Sequence, residues 1–463
     1  MRRRLFFRAD AGPGIGYGHF VRSLALASML KDCFECRFFS SQPTPWQYSL
    51  ADGICPLEAL PAGEACFEAF LGRLDGSEIV VLDNYFFTPE YQLKIKEKGC
   101  KLVCIDDLHD KHFYADLLLS PCSDDASAYD LEENACIAYG SSCALVGQAF
   151  RGGFVSASRS GVFISFGGAD PEGLTLRFAR IIRKELPDER IDAVVGDGFP
   201  VLDELTAVPG VAVHRNLSPA EMASLMRGSR IAVCSASGTC YEALACGCEV
   251  FAGYYVDNQQ DFYKMLCRRD LIHPLGNLLS DRADFATPAP SGRIHFGGLE
   301  KRFRSLFLGL SMDVVPYTDL TPEQSRLVWE ARNLPEIRCR MTNPEPFSFE
   351  SHTAFVEGLK KHTDREYYAF FDEGGLAGTY DFVDIVDGSS ADRGLFVVPG
   401  RQRSGVGAAM ECLMEARIAR RGVRELTACV LRDNPASLGF HQSAGYVVET
   451  SDERFYYLRK VLK

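Results

Sequence analysis

Short apolar runs that do not alternate with polar residues recur through the first 285 residues, each followed by a stretch of helical spacing. Leu5–Arg8, Glu35–Ser40, Glu78–Asp83, Lys101–Asp106 and Ala115–Leu119 are such runs. A strand buried on both faces has no polar side to show, so this pattern predicts a parallel sheet covered by helices. Leu24, Ala25, Leu26, Met29 and Leu30 predict the first of those helices. The pattern restarts near Arg159, where Val162–Phe166, Ile191–Val195, Ile231–Cys234 and Glu249–Ala252 predict a second sheet of the same kind. Two such units in tandem predict two Rossmann-like domains, with a ligand cleft facing the C-terminal ends of their strands.

Asp281–Gly298 breaks the rhythm, and Ala286-Thr287-Pro288-Ala289-Pro290-Ser291-Gly292 within it predicts a linker. Beyond it, strands and amphipathic helices mix. Leu395–Val398 predicts a strand, Gly400–Gly407 a glycine-rich loop, and Leu413 and Ile418 mark a helix. A strand at Leu426–Val430 and a helix opened by Asn434-Pro435-Ala436-Ser437 follow. The expected fold class is α/β: residues 1–150 and 151–298 as two Rossmann-like domains, the second with the linker, and 313–463 as a mixed α/β domain.

The length of 463 residues suits about three domains. With 46% hydrophobic and 24% charged residues, a disordered or fibrous chain is excluded. No run reaches the roughly 18 apolar residues of a membrane span. The start, Met1-Arg2-Arg3-Arg4-Leu5-Phe6-Phe7, has a basic end, but its apolar part stops at Arg8 and Asp10, so a strand is expected and not an export signal. The seventeen scattered cysteines are then expected as reduced core residues of a cytoplasmic protein. A net charge of -12 argues against nucleic-acid binding, and no membrane partner is expected.

Candidate chemistry begins in the segment from Gly14 to Arg22. A strand feeds Gly12, Gly14, Gly16 and Gly18, and the loop feeds a helix. Glycines let a backbone turn tightly and approach a ligand, and a helix N-terminus suits an anion. His19, at that helix start, can act as a neutral general base. Glycine loops are common, however, and a loop histidine is more often structural.

Ile15-Gly16-Tyr17-Gly18-His19 with Arg22, after Arg8-Ala9-Asp10, resembles the opening signature of the UDP-sugar hydrolases of pseudaminic acid biosynthesis, which act on UDP-2,4-diacetamido-2,4,6-trideoxy-β-L-altropyranose. Val81-Leu82-Asp83-Asn84-Tyr85, Ile105-Asp106-Asp107, Ala115–Leu119, Phe163–Asp170 and Asn258-Gln259 are similar to further segments of that family, in order, over about residues 1–285. The resemblance implies a GT-B arrangement of the two Rossmann-like domains, a UDP-sugar substrate and no metal. It implies His19 as the catalytic residue and Gly16, Gly18, Arg22, Asp83, Tyr85, Gly167, Gly168, Asn258 and Gln259 as substrate-binding.

Two loops of the second sheet suit a nucleotide. Gly167-Gly168-Ala169-Asp170-Pro171 predicts a helix start with Asp170 as N-cap and Pro171 in the first turn. Ser235–Thr239 follows a buried strand, and Glu242 comes three residues after Thr239. That spacing also fits a capping box. GT-B enzymes of this kind place a helix glutamate on the nucleotide ribose, which implies Thr239 and Glu242 as substrate-binding. The family's paired glycines are shifted here, to Ala236-Ser237-Gly238-Thr239.

In the last domain, Gln402-x-x-Gly405-x-Gly407 after an apolar strand resembles the acyl-CoA pyrophosphate loop of the GNAT N-acetyltransferases, with Arg401 and Arg403 adding positive charge. Val328–Arg338 is similar to the opening of the acetyltransferase of the same pathway, with Ala331 inserted between Glu330 and Arg332. The resemblance implies acetyl-CoA as co-substrate, held by Val397, Val398, Gln402, Arg403, Ser404, Gly405, Val406, Gly407 and Asn434. Many members carry a tyrosine acid seven residues after the asparagine; His441 stands there, as the expected catalytic proton donor. Asp392 is a candidate proton acceptor.

Cys33-x-x-Cys36 lacks a second pair, Cys240, Cys246 and Cys248 read as packing, and His109 and His112 near Asp106 and Asp107 read as structural. The expectation is a bifunctional enzyme that acetylates a UDP-4-amino-4,6-dideoxy-N-acetyl-β-L-altrosamine and then hydrolyses the UDP-diacetamido-sugar. A GT-B glycosyltransferase, or a non-catalytic sugar-nucleotide scaffold, fused to the acetyltransferase is the alternative.

Overall fold

The computed structural model describes residues 2–12, 15–152, 159–168, 170–196, 198–280, 285 and 289–462. Gly14, Ala169 and residues 281–284 and 286–288 of the expected linker lie outside the described residues. The chain divides into two compact units. One holds residues 1–125, 129–131 and 139–300; the other holds 126–128, 132–138 and 301–463.

The first unit carries two parallel sheets. In the first, β1 (Arg4–Arg8), β2 (Glu35–Ser41), β3 (Leu57–Leu60), β4 (Ile79–Leu82), β5 (Lys101–Ile105) and β6 (Leu117–Ser120) lie in the order β3-β2-β1-β4-β5-β6. Leu5, Phe7, Ile79, Val80, Leu102 and Leu117 are completely buried, which is why these strands show no alternation. Helix α1 (Gly18–Leu30) buries Phe20, Leu24, Leu26 and Met29 on this sheet. The Phe20 ring lies 4.7 Å from that of Phe38, and Phe7 stacks on Phe38 at 5.9 Å. Each such ring buried is worth roughly 1.5–3 kcal/mol. The helix start is thereby fixed over the strand ends.

In the second sheet, β7 (Val162–Ser165), β8 (Ile191–Val195), β9 (Val211–Arg215), β10 (Ile231–Ser235), β11 (Glu249–Tyr254) and β12 (His273–Asn277) lie in the order β9-β8-β7-β10-β11-β12. The strand order reverses between β1 and β4 in the first sheet and between β7 and β10 in the second. Ligand crevices form at such switch points, beyond the strand C-termini. Helices α2 (Leu174–Glu185) and α3 (Gly238–Ala245) follow β7 and β10.

One local expectation is corrected here. Asp170 does not sit at the N-cap with Pro171 in the first turn. Helix α2 begins only at Leu174, with Gly173 as its N-cap at φ 64°. Asp170 still caps the helix, reaching across the intervening turn to accept from Leu174 N (2.9 Å) and Thr175 N (2.7 Å).

The second unit is built on a mixed sheet. Strands β13 (Asp313–Pro316), β14 (Glu366–Asp372), β15 (Gly375–Val386), β16 (Ser390–Val397), β17 (Glu425–Leu431), β18 (Val447–Ser451) and β19 (Phe455–Val461) lie in the order β13-β14-β15-β16-β17-β19-β18. Every pairing is antiparallel except β16 with β17. That parallel pair is joined only from Ser390–Asp392 to Glu425–Thr427; beyond, the two strands part. Helix α4 (Pro322–Asn333) precedes β14, α5 (Val406–Ile418) crosses from β16 to β17, and α6 (Pro435–Ser443) follows β17.

Candidate active sites

The loop between β1 and α1 is tied into place before any ligand is considered. Gly12 and Gly16 exchange backbone hydrogen bonds (3.2 and 2.8 Å), a tight turn that needs the positive φ of 81° at Gly16. Asn84, after β4, accepts from Asp10 N (2.7 Å) and donates to Asp10 O (3.3 Å), so the two switch-point loops hold each other. Open space faces Gly18, the first helical residue.

His19, the second residue of α1, is buried, and its Nδ1 lies 2.8 Å from Asp83 Oδ1. Asp83 follows β4 and is completely buried. It also accepts from Arg22 Nε and Nη2 (2.8 and 2.7 Å) and Ser23 Oγ (2.8 Å). Burial pushes the Asp83 carboxyl up, but Arg22 and His19 outweigh it and hold it at about 2. An ionised carboxylate can only accept, so Nδ1 carries a proton, and in the neutral form of the ring the lone pair is on Nε2. Arg22 spans Asp83 and Asp107. Tyr85, whose ring meets that of His19 edge-on at 4.6 Å, donates to Asp107 Oδ2 (3.3 Å). Asn258, in the turn after β11, donates to Tyr85 Oη at 3.4 Å, bringing a residue of the second sheet to the same cluster. Gln259 does not face the cluster; its Oε1 accepts from Tyr255 N (3.1 Å) and shapes the turn.

Ser23 and Asp107 were not among the expected site residues. Ser23 lies four residues after His19 on the same helix face, which is the signal that finds it; Asp107 follows β5 and is brought in by the pairing of β4 with β5.

At the second switch point, open space faces Gly167, Gly168 and Gly238. Gly167 has φ 99°, and Gly168 O accepts from Gly196 N at 2.9 Å. Helix α3 begins at Gly238 with Ser237 as N-cap and no side-chain cap, so its first N–H groups have no such acceptor. Thr239 is inside the helix, and the capping box that its spacing to Glu242 allowed is not formed. Burial alone raises the Glu242 carboxyl to about 8. Behind the loop, Cys234 and Cys240 are buried thiols with Sγ atoms 3.5 Å apart.

In the second unit, the loop from Val397 and Val398 to α5 folds back on itself. Val398 N donates to Ala377 O (3.0 Å), Gly400 N to Gln402 Oε1 (3.0 Å), and Ser404 Oγ to Arg401 O (2.5 Å). Arg403 and Gly405 have φ of 64° and 90°, and Gly405 is the N-cap of α5. The first N–H groups of α5, from Val406 and Gly407, then point out of the helix end. A Cβ at Gly407 would rest in van der Waals contact with Phe440 and Val397, at 3.4 and 3.5 Å. Arg401 does not add free charge, because Asp372 pairs with it. Asn434 caps α6 by accepting from Ser437 N (3.1 Å).

Under this loop lies a buried polar network. Arg393 Nε donates to Tyr446 Oη (3.0 Å), Tyr446 Oη to Glu411 Oε1 (2.8 Å), and Tyr380 Oη to Glu411 Oε2 (3.2 Å). His441 packs on Tyr446 with ring centroids 5.3 Å apart. Its Nδ1 lies 2.6 Å from Ser437 O, and a carbonyl can only accept, so Nδ1 carries the proton. Burial and the Arg393 charge lower the imidazolium to about 4. At neutral pH the ring is uncharged and Nε2 bears no proton, a poor state for the expected proton donor. Asp392 is occupied as well, accepting from Thr427 Oγ1 (3.1 Å) and Arg393 N (3.0 Å).

Among the described residues, no group of three or more His, Cys, Asp or Glu side chains is placed to hold a metal ion. No helix among them is long and apolar enough to cross a membrane.

Residues 331–446 match the acetyltransferase (GNAT) family. The acetyltransferase PseH of Campylobacter jejuni is 27% identical over 143 residues, 31% of this chain and 88% of that protein. The UDP-2,4-diacetamido-2,4,6-trideoxy-β-L-altropyranose hydrolase of Campylobacter jejuni is 28% identical over 281 residues, 58% of this chain and 97% of that protein. The crystal structure of Campylobacter jejuni PseH with acetyl coenzyme A aligns with a TM-score of 0.28 at 22% identity, covering 33% of this chain and 99% of that one. The chain thus joins a segment similar to a UDP-sugar hydrolase to a segment similar to an N-acetyltransferase.

Proposed function

We propose that this chain carries out two consecutive steps of pseudaminic acid biosynthesis. Its last domain, residues 313–463, acetylates the 4-amino group of UDP-4-amino-4,6-dideoxy-N-acetyl-β-L-altrosamine with acetyl-CoA. Residues 1–150 and 151–298, two Rossmann-like domains in a GT-B arrangement, then release UDP from the UDP-2,4-diacetamido-2,4,6-trideoxy-sugar by hydrolysis. Similarity across nearly the full length of one curated hydrolase and of one curated acetyltransferase supports the pairing.

The observation that carries the hydrolytic step is the His19–Asp83 pair. With its proton fixed on Nδ1, His19 takes a proton from water at Nε2 as that water attacks the anomeric carbon. Arg22, Tyr85 and Asn258 position the sugar, with Gly16 and Gly18 leaving room beside it. Gly167, Gly168 and the first N–H groups of α3, with the Thr239 hydroxyl, receive the diphosphate and stabilise it as it leaves. Glu242 accepts from the ribose hydroxyls.

In the acetyltransferase domain, Gln402 to Gly407 and the start of α5 hold the coenzyme pyrophosphate, and the gap between β16 and β17 takes its extended amide-bearing arm. The unpaired strand edges there fit that arm, which can bond to them. Acetyl-CoA supplies an activated acyl group. A thiol ionises near 8.5, so the coenzyme leaves as thiolate without an obligate protein acid. His441 is then a neutral wall of this pocket, and Asn434 sets the start of its helix.

Mass spectrometry of the products from the UDP-4-amino-sugar, with and without acetyl-CoA, tests both steps. Free diacetamido-sugar and UDP are expected only with acetyl-CoA present. An acetylated UDP-sugar that persists would remove the hydrolase reading; an added sugar acceptor being required for UDP release would favour a glycosyltransferase.

A further inference from the structure

Asp392 is already bonded on one oxygen, and the His441 ring, which protonates only near 4, is a weak base, so neither suits the amine proton. This inference rests on the acetyl-transfer reading above. Asp381, in the middle of β15, pairs in register with Gly394 of β16. Its carboxylate lies directly over that glycine: a Cβ at Gly394 would stand 2.8 and 2.9 Å from the two carboxylate oxygens. Gly394 is two residues beyond Asp392, the last residue of β16 that pairs with β17. The absent side chain therefore lets a carboxylate rest at the point where the two strands open. Among the described residues, no side chain hydrogen-bonds to Asp381.

We propose that Asp381 is the proton acceptor of the acetyl transfer and touches the amine of the acceptor sugar. The amine arrives as R–NH3+, and the Asp381 carboxylate takes one proton. The nitrogen lone pair then forms a bond to the acetyl carbonyl carbon, and the C–S bond breaks with its electron pair on sulfur. The second proton lost from nitrogen passes through solvent to the thiolate, and Asp381 returns its proton to water. R–NH3+ and acetyl-CoA give R–NH–acetyl, CoA–SH and one H+.

The surroundings tune the group for this. Burial and the neighbouring Asp392 raise the Asp381 carboxyl, Arg393, Arg332 and the Gly394 N–H oppose them, and the balance lies at about 6. The charged and titratable groups around it are Asp392 and Arg393 on β16, Arg332 on α4, Tyr317 in the turn after β13 and Tyr367 on β14. Arg332 Nη1 is itself buried without a hydrogen-bond partner. A base that ionises near 6 is charged at neutral pH yet returns its proton readily.

The test is kcat/KM for coenzyme A release against pH, on the full chain with the UDP-4-amino-sugar and acetyl-CoA, for wild type, Asp381→Asn and Asp392→Asn. Acetyl-CoA affinity of each variant reports its fold. Wild type should rise to a plateau above about pH 6. Asp381→Asn should fall about 10²–10⁴-fold at pH 7 and keep rising with pH up to the amine's own ionisation, with acetyl-CoA affinity unchanged. Asp392→Asn should still reach a plateau but at a lower pH than wild type, because the Asp392 charge helps raise the Asp381 carboxyl. A wild-type profile that climbs without a plateau through pH 7 would overturn the inference with no variant needed. So would an Asp381→Asn rate within threefold of wild type. No coenzyme A release by wild type would overturn the acetylation reading and this inference with it.

Discussion

Asp83 is completely buried and accepts hydrogen bonds from three side chains, so losing its charge strips Arg22 of one of two counter-ions and His19 of its orienting partner. Asp83→Asn should destabilise the first unit by about 3 kcal/mol, the scale for breaking a buried pair, and slow UDP release. The sign with pH follows from the depressed carboxyl. Its contribution is present above the ordinary value of 3.8 and fades as pH falls towards about 2. Urea denaturation between pH 6 and 3 should show wild type losing on the order of 1 kcal/mol more than the variant, with the rest lost only as pH falls towards 2; parallel curves would remove the network from the stability account. Glu242 behaves oppositely. Its carboxyl, at about 8, is mostly protonated at pH 7, while ribose hydroxyls favour the ionised form as acceptor. UDP binding at pH 7 should therefore release a proton, seen by calorimetry in buffers of different ionisation enthalpy. Glu242→Gln should abolish that release and weaken binding by about 1.5–3 kcal/mol; proton release that persists in the variant would place the titrating group elsewhere.

At the scale of elements, the strands that carry the switch points were legible because they are buried on both faces. In the second unit Asp313–Pro316, Glu366–Asp372, Gly375–Val386, Val447–Ser451 and Phe455–Val461 were not, and neither were three margin strands of the parallel sheets. Leu57–Leu60 is short, Val211–Arg215 is a half-exposed edge, and His273–Asn277 contains Pro274 and Gly276, which a central strand excludes and an edge tolerates. Each runs along the margin of its sheet, so the cleft was predictable although the margins were not. The site residues divide the same way. His19 and Arg22 stand in a recognisable loop and helix start, but that Asp83 gathers His19, Arg22 and Ser23 is set by pairings of β1 with β4, which local spacing does not encode. Likewise Asp381 carries no motif; its place depends on the register of β15 against β16 and on an absent side chain at Gly394. Gly405 is the element-scale test in the second unit. With φ at 90° and the start of α5 depending on it, Gly405→Val should abolish acetyl-CoA binding and leave UDP release from the acetylated sugar unchanged. Normal coenzyme affinity in the variant would refute the loop placement.

For the whole molecule, the proposed pairing of both activities on one chain would keep them at equal amounts and makes their order a chemical question. A 4-amino group is cationic near neutral pH, whereas the acetamide is neutral and larger. A hydrolase pocket shaped for the acetamide would leave a desolvated ammonium unpaired, at a cost of several kcal/mol. UDP release should thus favour the acetylated UDP-sugar over the 4-amino form by at least about tenfold in kcat/KM, measured on the Gly405→Val chain so that no acetylation intervenes; equal values would refute the order. The central claim is that the two chemistries reside at separate sites of one chain, with hydrolysis at His19. It is tested most directly by mass spectrometry of the full-length His19→Ala chain reacting with UDP-4-amino-sugar and acetyl-CoA. The expected result is coenzyme A release at the wild-type rate and accumulation of the UDP-diacetamido-sugar, with UDP formation slowed about 10²–10⁴-fold. UDP appearing within threefold of the wild-type rate, or both products lost together, would contradict it.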